Sequence, residues 1–352
     1  MSDGCSNLRR EHFVASTTLR GLKMRMRECV PSVPGDHPPL LMIHGATIAS
    51  ALWDNAAPGW SWMDILARAG FHAFALDLRG YGLSSRPASL YLPDAPPFAR
   101  AVEVQADLCD TIAFIRDLTR ADQVDLLGGS WGSVVCGLFA SGPNARQVRR
   151  LVLYAPLYSA KGQGADWCAL AADPEDPERL NPRLGAVRPV HPNDFRRRWA
   201  SEIPVADKAS WRDSSVVEAL IHQSLEEAAH PQCPGAFAVP NGSVADLFEV
   251  FHGRPLYSAA QINMPTLLLR GEFDPTSTHE DAMSLFTALG SERKRYCVIG
   301  RGAHFMIAER CLPEVHGVIA AFLSEAIDSL VQDQSHKLLP VEPRVAADRI
   351  EG

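Results

Sequence analysis

The chain predicts an α/β protein with a mostly parallel sheet, and three features carry that expectation. Short continuous apolar runs such as Leu40-Leu41-Met42-Ile43 read as strands buried on both faces. Segments with helical apolar spacing alternate with these runs. The connections between them are short, and strand, helix, strand, helix in that order builds βαβ units.

Two extended segments open the chain, 12–19 and 22–30. Val14, Thr17 and Thr18 favour extension, and Met24 and Met26 alternate with Arg25 and Arg27. Pro31, Pro34, Gly35, Pro38 and Pro39 then break the pattern. The run 39–43 is the first buried strand and ends at His44-Gly45. Residues 60–70 predict a helix closed by Gly70. A strand over 71–78, a long helix over 101–120, a strand over 123–127, a helix over 131–141 and a strand over 148–154 follow. From 158 to 241 prolines recur, helical patches such as 214–229 lie between them, and no strand signal of comparable strength appears. This predicts a helical insertion over the sheet. Beyond it, 246–251 and 258–262 read as helical, 265–270 as a buried strand, 281–289 as a helix, 294–299 as a strand and 313–330 as a last helix. Residues 331–352 lose apolar periodicity and predict a loosely held tail. The expected division is a core over 1–157, a cap over 158–245, a second core part over 246–330, and the tail.

Composition excludes several classes. At 46% hydrophobic and 21% charged residues the chain is an ordinary globular one and not a disordered one. No apolar run approaches the roughly 18–20 residues of a membrane span. The net charge is −7, and the basic clusters Arg9-Arg10, Arg149-Arg150 and Arg196-Arg197-Arg198 are short and scattered. They read as solvated faces, which argues against a nucleic-acid partner. The polar start over 1–6 lacks the regions of a signal peptide, so a cytoplasmic protein is expected. Eight cysteines without a C-x-x-C read as reduced thiols, with Cys109 and Cys136 in apolar helical patterns.

The strongest chemical signal is Gly128-Gly129-Ser130-Trp131-Gly132, between the strand at 124–127 and a helix starting at 131. This is G-x-S-x-G in the strand–turn–helix context of a nucleophile elbow. The turn lifts the Ser130 hydroxyl above the sheet edge and aims the Trp131 amide and a helix start at a substrate oxygen. A serine needs a base, and the base an orienting acid. Two strand ends supply candidates: Gly271-Glu272-Phe273-Asp274, and Gly302-Ala303-His304. Strand carboxyl ends border the crevice of such sheets. His304 is the expected base, against His279 and His316 on or beside helices. A second oxyanion donor is expected from the loop after Ile43, where the Ala46 amide is the candidate and His44 shapes the loop. Asp77 and Arg79 are expected to brace their own loop. No zinc motif, clustered Cys/His set or G-x-G-x-x-G with an acidic partner appears, so no metal or cofactor is expected.

With His44-Gly45, Asp77-x-Arg79-Gly80-x-Gly82-x-Ser84, the elbow, Gly271-x-x-Asp274 and Gly302-x-His304 in this order over about 12–325, the sequence resembles the α/β-hydrolase superfamily. The resemblance implies an eight-stranded sheet, a cap inserted after the sixth strand, and a Ser130–His304–Asp274 triad. It also selects Asp274 over Glu272, because the acid follows the glycine by three residues. The elbow is similar to that of proline iminopeptidases, but His44-Gly45-Ala46-Thr47 departs from their oxyanion loop, and the remainder looks closer to esterases and lactonases. The expected activity is therefore hydrolysis of a small, partly apolar ester or lactone through an acyl-enzyme on Ser130. Trp167, Trp199 and Trp211 of the cap are candidate pocket residues. A peptidase holding a free ammonium group with Glu202 or Glu226-Glu227 is one alternative. A slow-turnover small-molecule receptor is the other.

Overall fold

The computed structural model describes residues 7–326. The polar start at 1–6, the end of the helix expected over 313–330 and the tail at 331–352 lie outside the described residues. Eight strands form one sheet: β1 (Leu8–Ala15), β2 (Lys23–Val30), β3 (Leu40–Ile43), β4 (Ala73–Leu76), β5 (Val124–Gly129), β6 (Val148–Tyr154), β7 (Thr266–Gly271) and β8 (Lys294–Ile299). Their spatial order is β1-β2-β4-β3-β5-β6-β7-β8. β2 pairs antiparallel with β1 and with β4, and every other pairing is parallel. β3, β4, β5 and β7 are buried along their whole length, which is why their sequences carry no polar alternation.

Helices α1 (Trp62–Arg68), α2 (Gln105–Thr119) and α3 (Trp131–Ala140) connect the first parallel strands. Between β6 and β7 the chain forms α4 (Ala165–Ala171), α5 (Pro192–Glu202), α6 (Ser214–Ala228) and α7 (Gly242–Phe251). α8 (His279–Ala288) and α9 (Leu312–Ser324) complete the described set. One apolar core runs from the sheet into this insertion, joining Leu126 and Leu268 to Phe195, Trp199 and Val216. The insertion is thus bonded to the sheet by packing as well as by its two connections.

Three expectations need correction. Arg150, read with Arg149 as part of a solvated face, is buried and donates to the Leu323 carbonyl at 2.6 Å. β1 begins at Leu8, four residues before the strand expected at 12, and its residues 8–11 are exposed. It is an edge strand, where charges such as Arg9, Arg10 and Glu11 discourage pairing with other chains, so no apolar alternation marks it. The insertion also contains strands: Ala172–Asp173 pairs with Asp176–Leu180, and Val187–Val190 with Phe237–Pro240. Each is a two-stranded ribbon in which every strand is an edge. Pro189 and the charged residues are tolerated there, and the usual strand signal is missing. Among the described residues no helix is long and apolar enough to cross a membrane, and the seven described cysteines are free thiols.

Candidate active site

The turn from β5 into α3 holds Ser130 at φ 55° and ψ −123°, a conformation that side-chain-bearing residues rarely adopt. Two close approaches make the turn possible. A Cβ at Gly128 would lie 2.2 Å from the Gly132 carbonyl oxygen, and one at Gly132 would lie 2.4 Å from the His44 carbonyl oxygen. The Ser130 amide donates to the Tyr154 carbonyl at 2.8 Å, tying the turn to β6.

The loop after β8 brings His304 to this serine. Its Nε2 lies 2.9 Å from Ser130 Oγ, and its Nδ1 lies 2.8 and 3.0 Å from the two carboxylate oxygens of Asp274. Asp274 follows β7. Its Oδ1 also accepts from the amides of Thr276 at 2.8 Å and Ser277 at 2.9 Å, which fixes the carboxylate's direction. Tyr154 spans the His304 loop: its hydroxyl donates to the His304 carbonyl and accepts from the Ile307 amide. His304 and Asp274 are buried, whereas Ser130 is partly exposed to the cavity beside it. Burial pulls the imidazole pKa down, but the Asp274 carboxylate outweighs it and the net direction is up. With Nδ1–H on Asp274, the Nε2 lone pair faces the serine hydroxyl, a geometry able to take up its proton.

The amides of Ala46 and Trp131 donate to no carbonyl or side chain among the described residues. Ala46 and Ser130 both line the gap over His304, and Trp131 opens α3, so both donors are available to an oxygen there. The Ala46 carbonyl is held from the other side by Arg188 Nη2 at 3.1 Å, Ser243 Oγ at 3.3 Å and Tyr81 Oη at 3.4 Å. His44 is fully buried. It accepts from the Leu78 amide at Nε2, so Nδ1 carries the proton donated to the Gly45 carbonyl at 2.8 Å. This ring shapes the loop. Asp77 takes the Ser50 and Leu83 amides and Arg79 pairs with Asp107, so both brace loops.

The three tryptophans separate. Trp167 lines the gap over Ser130 and the larger cavity, about 600 Å³, that continues from it under the insertion. Trp199 and Trp211 line neither: both indoles are buried and donate to Glu309, each at 3.0 Å. Glu309 Oε2 also accepts the Ala303 amide at 2.8 Å, so one carboxyl joins two insertion residues to the His304 loop. Burial raises this carboxyl to about 7. Glu309 gave no signal in the sequence, because a lone acid after the last strand has no motif.

The other candidates also separate. Glu272 accepts from the Arg301 amide on the surface and does not reach His304; His279 sits against Tyr296, and His316 lies on α9. Glu226 is exposed beside His222, and Glu227 pairs with Arg27 and Arg25. Only Glu202 of these carboxylates reaches the larger cavity. The reading of Arg196-Arg197-Arg198 as a solvated face holds for the first two, which pair on the surface with Glu218 and Asp194. Arg198 turns inward and lines both cavities. The signal was its spacing, three after Phe195 and four before Glu202, on the buried face of α5. Among the described residues no group of three His, Cys, Asp or Glu could hold a metal.

A family model described as the alpha/beta hydrolase fold matches residues 38–310. The curated relative epoxide hydrolase A of Mycobacterium tuberculosis is 30% identical over 112 residues, which is 32% of this chain and 30% of the relative's length. An esterase of Thermogutta terrifontis superposes with a TM-score of 0.59 at 18% identity, covering 89% of this chain and 98% of that one. An esterase of Exiguobacterium antarcticum gives 0.58 at 14% identity, covering 89% and 99%. Est816, described as an N-acyl homoserine lactone degrading enzyme, gives 0.59 at 16% identity, covering 88% and 100%. By its matched residues, sheet order and elbow, the chain belongs to the α/β-hydrolase fold family.

Proposed function

We propose that the protein is a serine hydrolase that cleaves a carboxylic ester or lactone of a small molecule through an acyl-enzyme on Ser130. The observation that carries this reading is the 2.9 Å approach of His304 Nε2 to Ser130 Oγ, with Asp274 on the opposite ring nitrogen. His304 takes the hydroxyl proton as Ser130 attacks the carbonyl. The Ala46 and Trp131 amides hold the oxygen that becomes negative. His304 then protonates the leaving oxygen, and afterwards takes a proton from the water that releases the acid. Asp274 keeps the ring oriented and supports its charged form.

The chemistry of the nucleophile separates this from epoxide opening, the activity in the name of the curated relative. A serine that opened an epoxide would be left as an ether, with no carbonyl for water to attack. An ester or lactone instead leaves an acyl-serine, which water can hydrolyse. The esterases and the lactone-degrading enzyme among the structural neighbours support the same choice through the fold they share. Labelling with a fluorophosphonate followed by peptide mapping tests it. Modification at Ser130, abolished in Ser130→Ala, is the expected result; an unlabelled Ser130 with ester turnover intact overturns the assignment.

A further inference from the structure

The larger cavity, which adjoins the gap over Ser130, carries two cations to which the proposed chemistry gives no direct part. Arg188, from the strand Val187–Val190, and Arg198, from α5, both line it. Their guanidinium carbons lie 5.9 and 4.4 Å from the centre of the Trp167 ring, so one indole serves both. Arg188 makes hydrogen bonds only to neutral oxygens, those of Ala46, Pro240 and Asn241, and has no carboxylate partner among the described residues. A partly buried cation without an anion is costly to keep, and neutral oxygens offset that cost only in part.

Arg198 has one anionic neighbour, Glu202, at 3.3 Å from Nε, a loose contact that leaves Glu202 Oε2 buried without a partner. The other acids at this cavity do not neutralise the pair: Asp194 is bonded to Arg197, and Asp166 is exposed at the rim. The cavity joins the gap over Ser130 through Thr47, Trp167 and Arg198. A net charge of −7 repels anions at long range, so a local cationic pair is what an anionic substrate would require.

We infer that Arg188 and Arg198, set about Trp167, recognise a carboxylate on the substrate, so that the preferred substrates are half-esters or carboxylated lactones. The inference rests on the ester-hydrolase reading for the identity of the reacting bond. The guanidinium fork suits a planar carboxylate, and the size of the cavity leaves room for several carbons between that group and the scissile carbonyl. Glu202 competes with the ligand for Arg198.

The test uses mono-(4-nitrophenyl) glutarate and its neutral counterpart 4-nitrophenyl butyrate. Binding of each to full-length Ser130→Ala is measured by calorimetry, which needs no turnover. The glutarate half-ester is expected to bind at least ~10-fold more tightly than the butyrate, the scale of one charge-assisted contact. Adding Arg198→Gln is expected to erase that ratio, and Arg188→Gln to reduce it. Adding Glu202→Gln is expected to raise it, whereas a site for an ammonium group would lose its anion there and show no such gain. An equal affinity for the two esters, or a ratio unmoved by Arg198→Gln, overturns the inference whether or not the enzyme turns over. Failure of the hydrolase reading shows separately, as an unlabelled Ser130 in the wild-type chain.

Discussion

The backbone at Ser130 makes a prediction that separates the hydroxyl from the turn that carries it. At φ 55° and ψ −123° any residue with a Cβ is strained, by about 1–3 kcal/mol. Glycine has no such strain but a more mobile unfolded chain, a cost of about 0.5–1 kcal/mol relative to alanine. Ser130→Ala and Ser130→Gly both remove the hydroxyl and its bond to His304, so their difference isolates the backbone. Ser130→Gly should therefore be the more stable of the two, by up to about 2.5 kcal/mol. Urea unfolding followed by fluorescence reads this as a higher midpoint at an unchanged slope. Both variants should be inactive. A glycine variant less stable than the alanine variant would refute the argument that the elbow stores strain to present its side chain.

Other consequences follow from the same geometry. Ser130→Ala should lower turnover of an activated ester roughly 10⁶-fold and Asp274→Ala roughly 10⁴-fold, measured at saturating substrate. Because Asp274 and Glu202 raise the His304 pKa, kcat/KM should rise with pH through an inflection above 6.5; Glu202→Gln should lower that inflection, as a pH–rate profile would show. Glu309 is raised from 4.5 to about 7, so its proton-bound form favours folding. That contribution is complete below pH 4.5 and lost as pH climbs to about 7. Unfolding measured across this range should show the decline, and Glu309→Gln should flatten it. Gly132→Ala should fail to yield folded protein or cost several kcal/mol, because its methyl group would meet the His44 and Ile43 carbonyls; far-UV circular dichroism and urea melts would decide.

What the sequence made legible follows from how local each signal is. β3, β5 and β7 announce themselves because burial on both faces leaves each a continuous apolar run, Leu40–Ile43, Leu126-Leu127 and Leu267-Leu268-Leu269. The elbow is legible because the close approaches at 128 and 132 admit only glycine. The first four residues of β1 and the insertion's ribbons were hidden, since edge strands work with charges and proline. Arg198 and Glu309 were hidden for a different reason. Each acts through partners far along the chain, Arg198 on Trp167 and Glu309 on Trp199, Trp211 and Ala303. Trp199 and Trp211 looked like pocket walls because an indole in a cap suits either role, and only the acid that receives their N–H groups decides between them.

That shared acid limits how the molecule can breathe. Raising the segment that carries Trp199 and Trp211 off the sheet would take two indole N–H donors away from the Glu309 carboxyl, which also anchors the backbone amide that precedes His304. The Trp167 side is tied differently, by guanidinium groups laid over an indole, so movement there breaks no bond to Glu309.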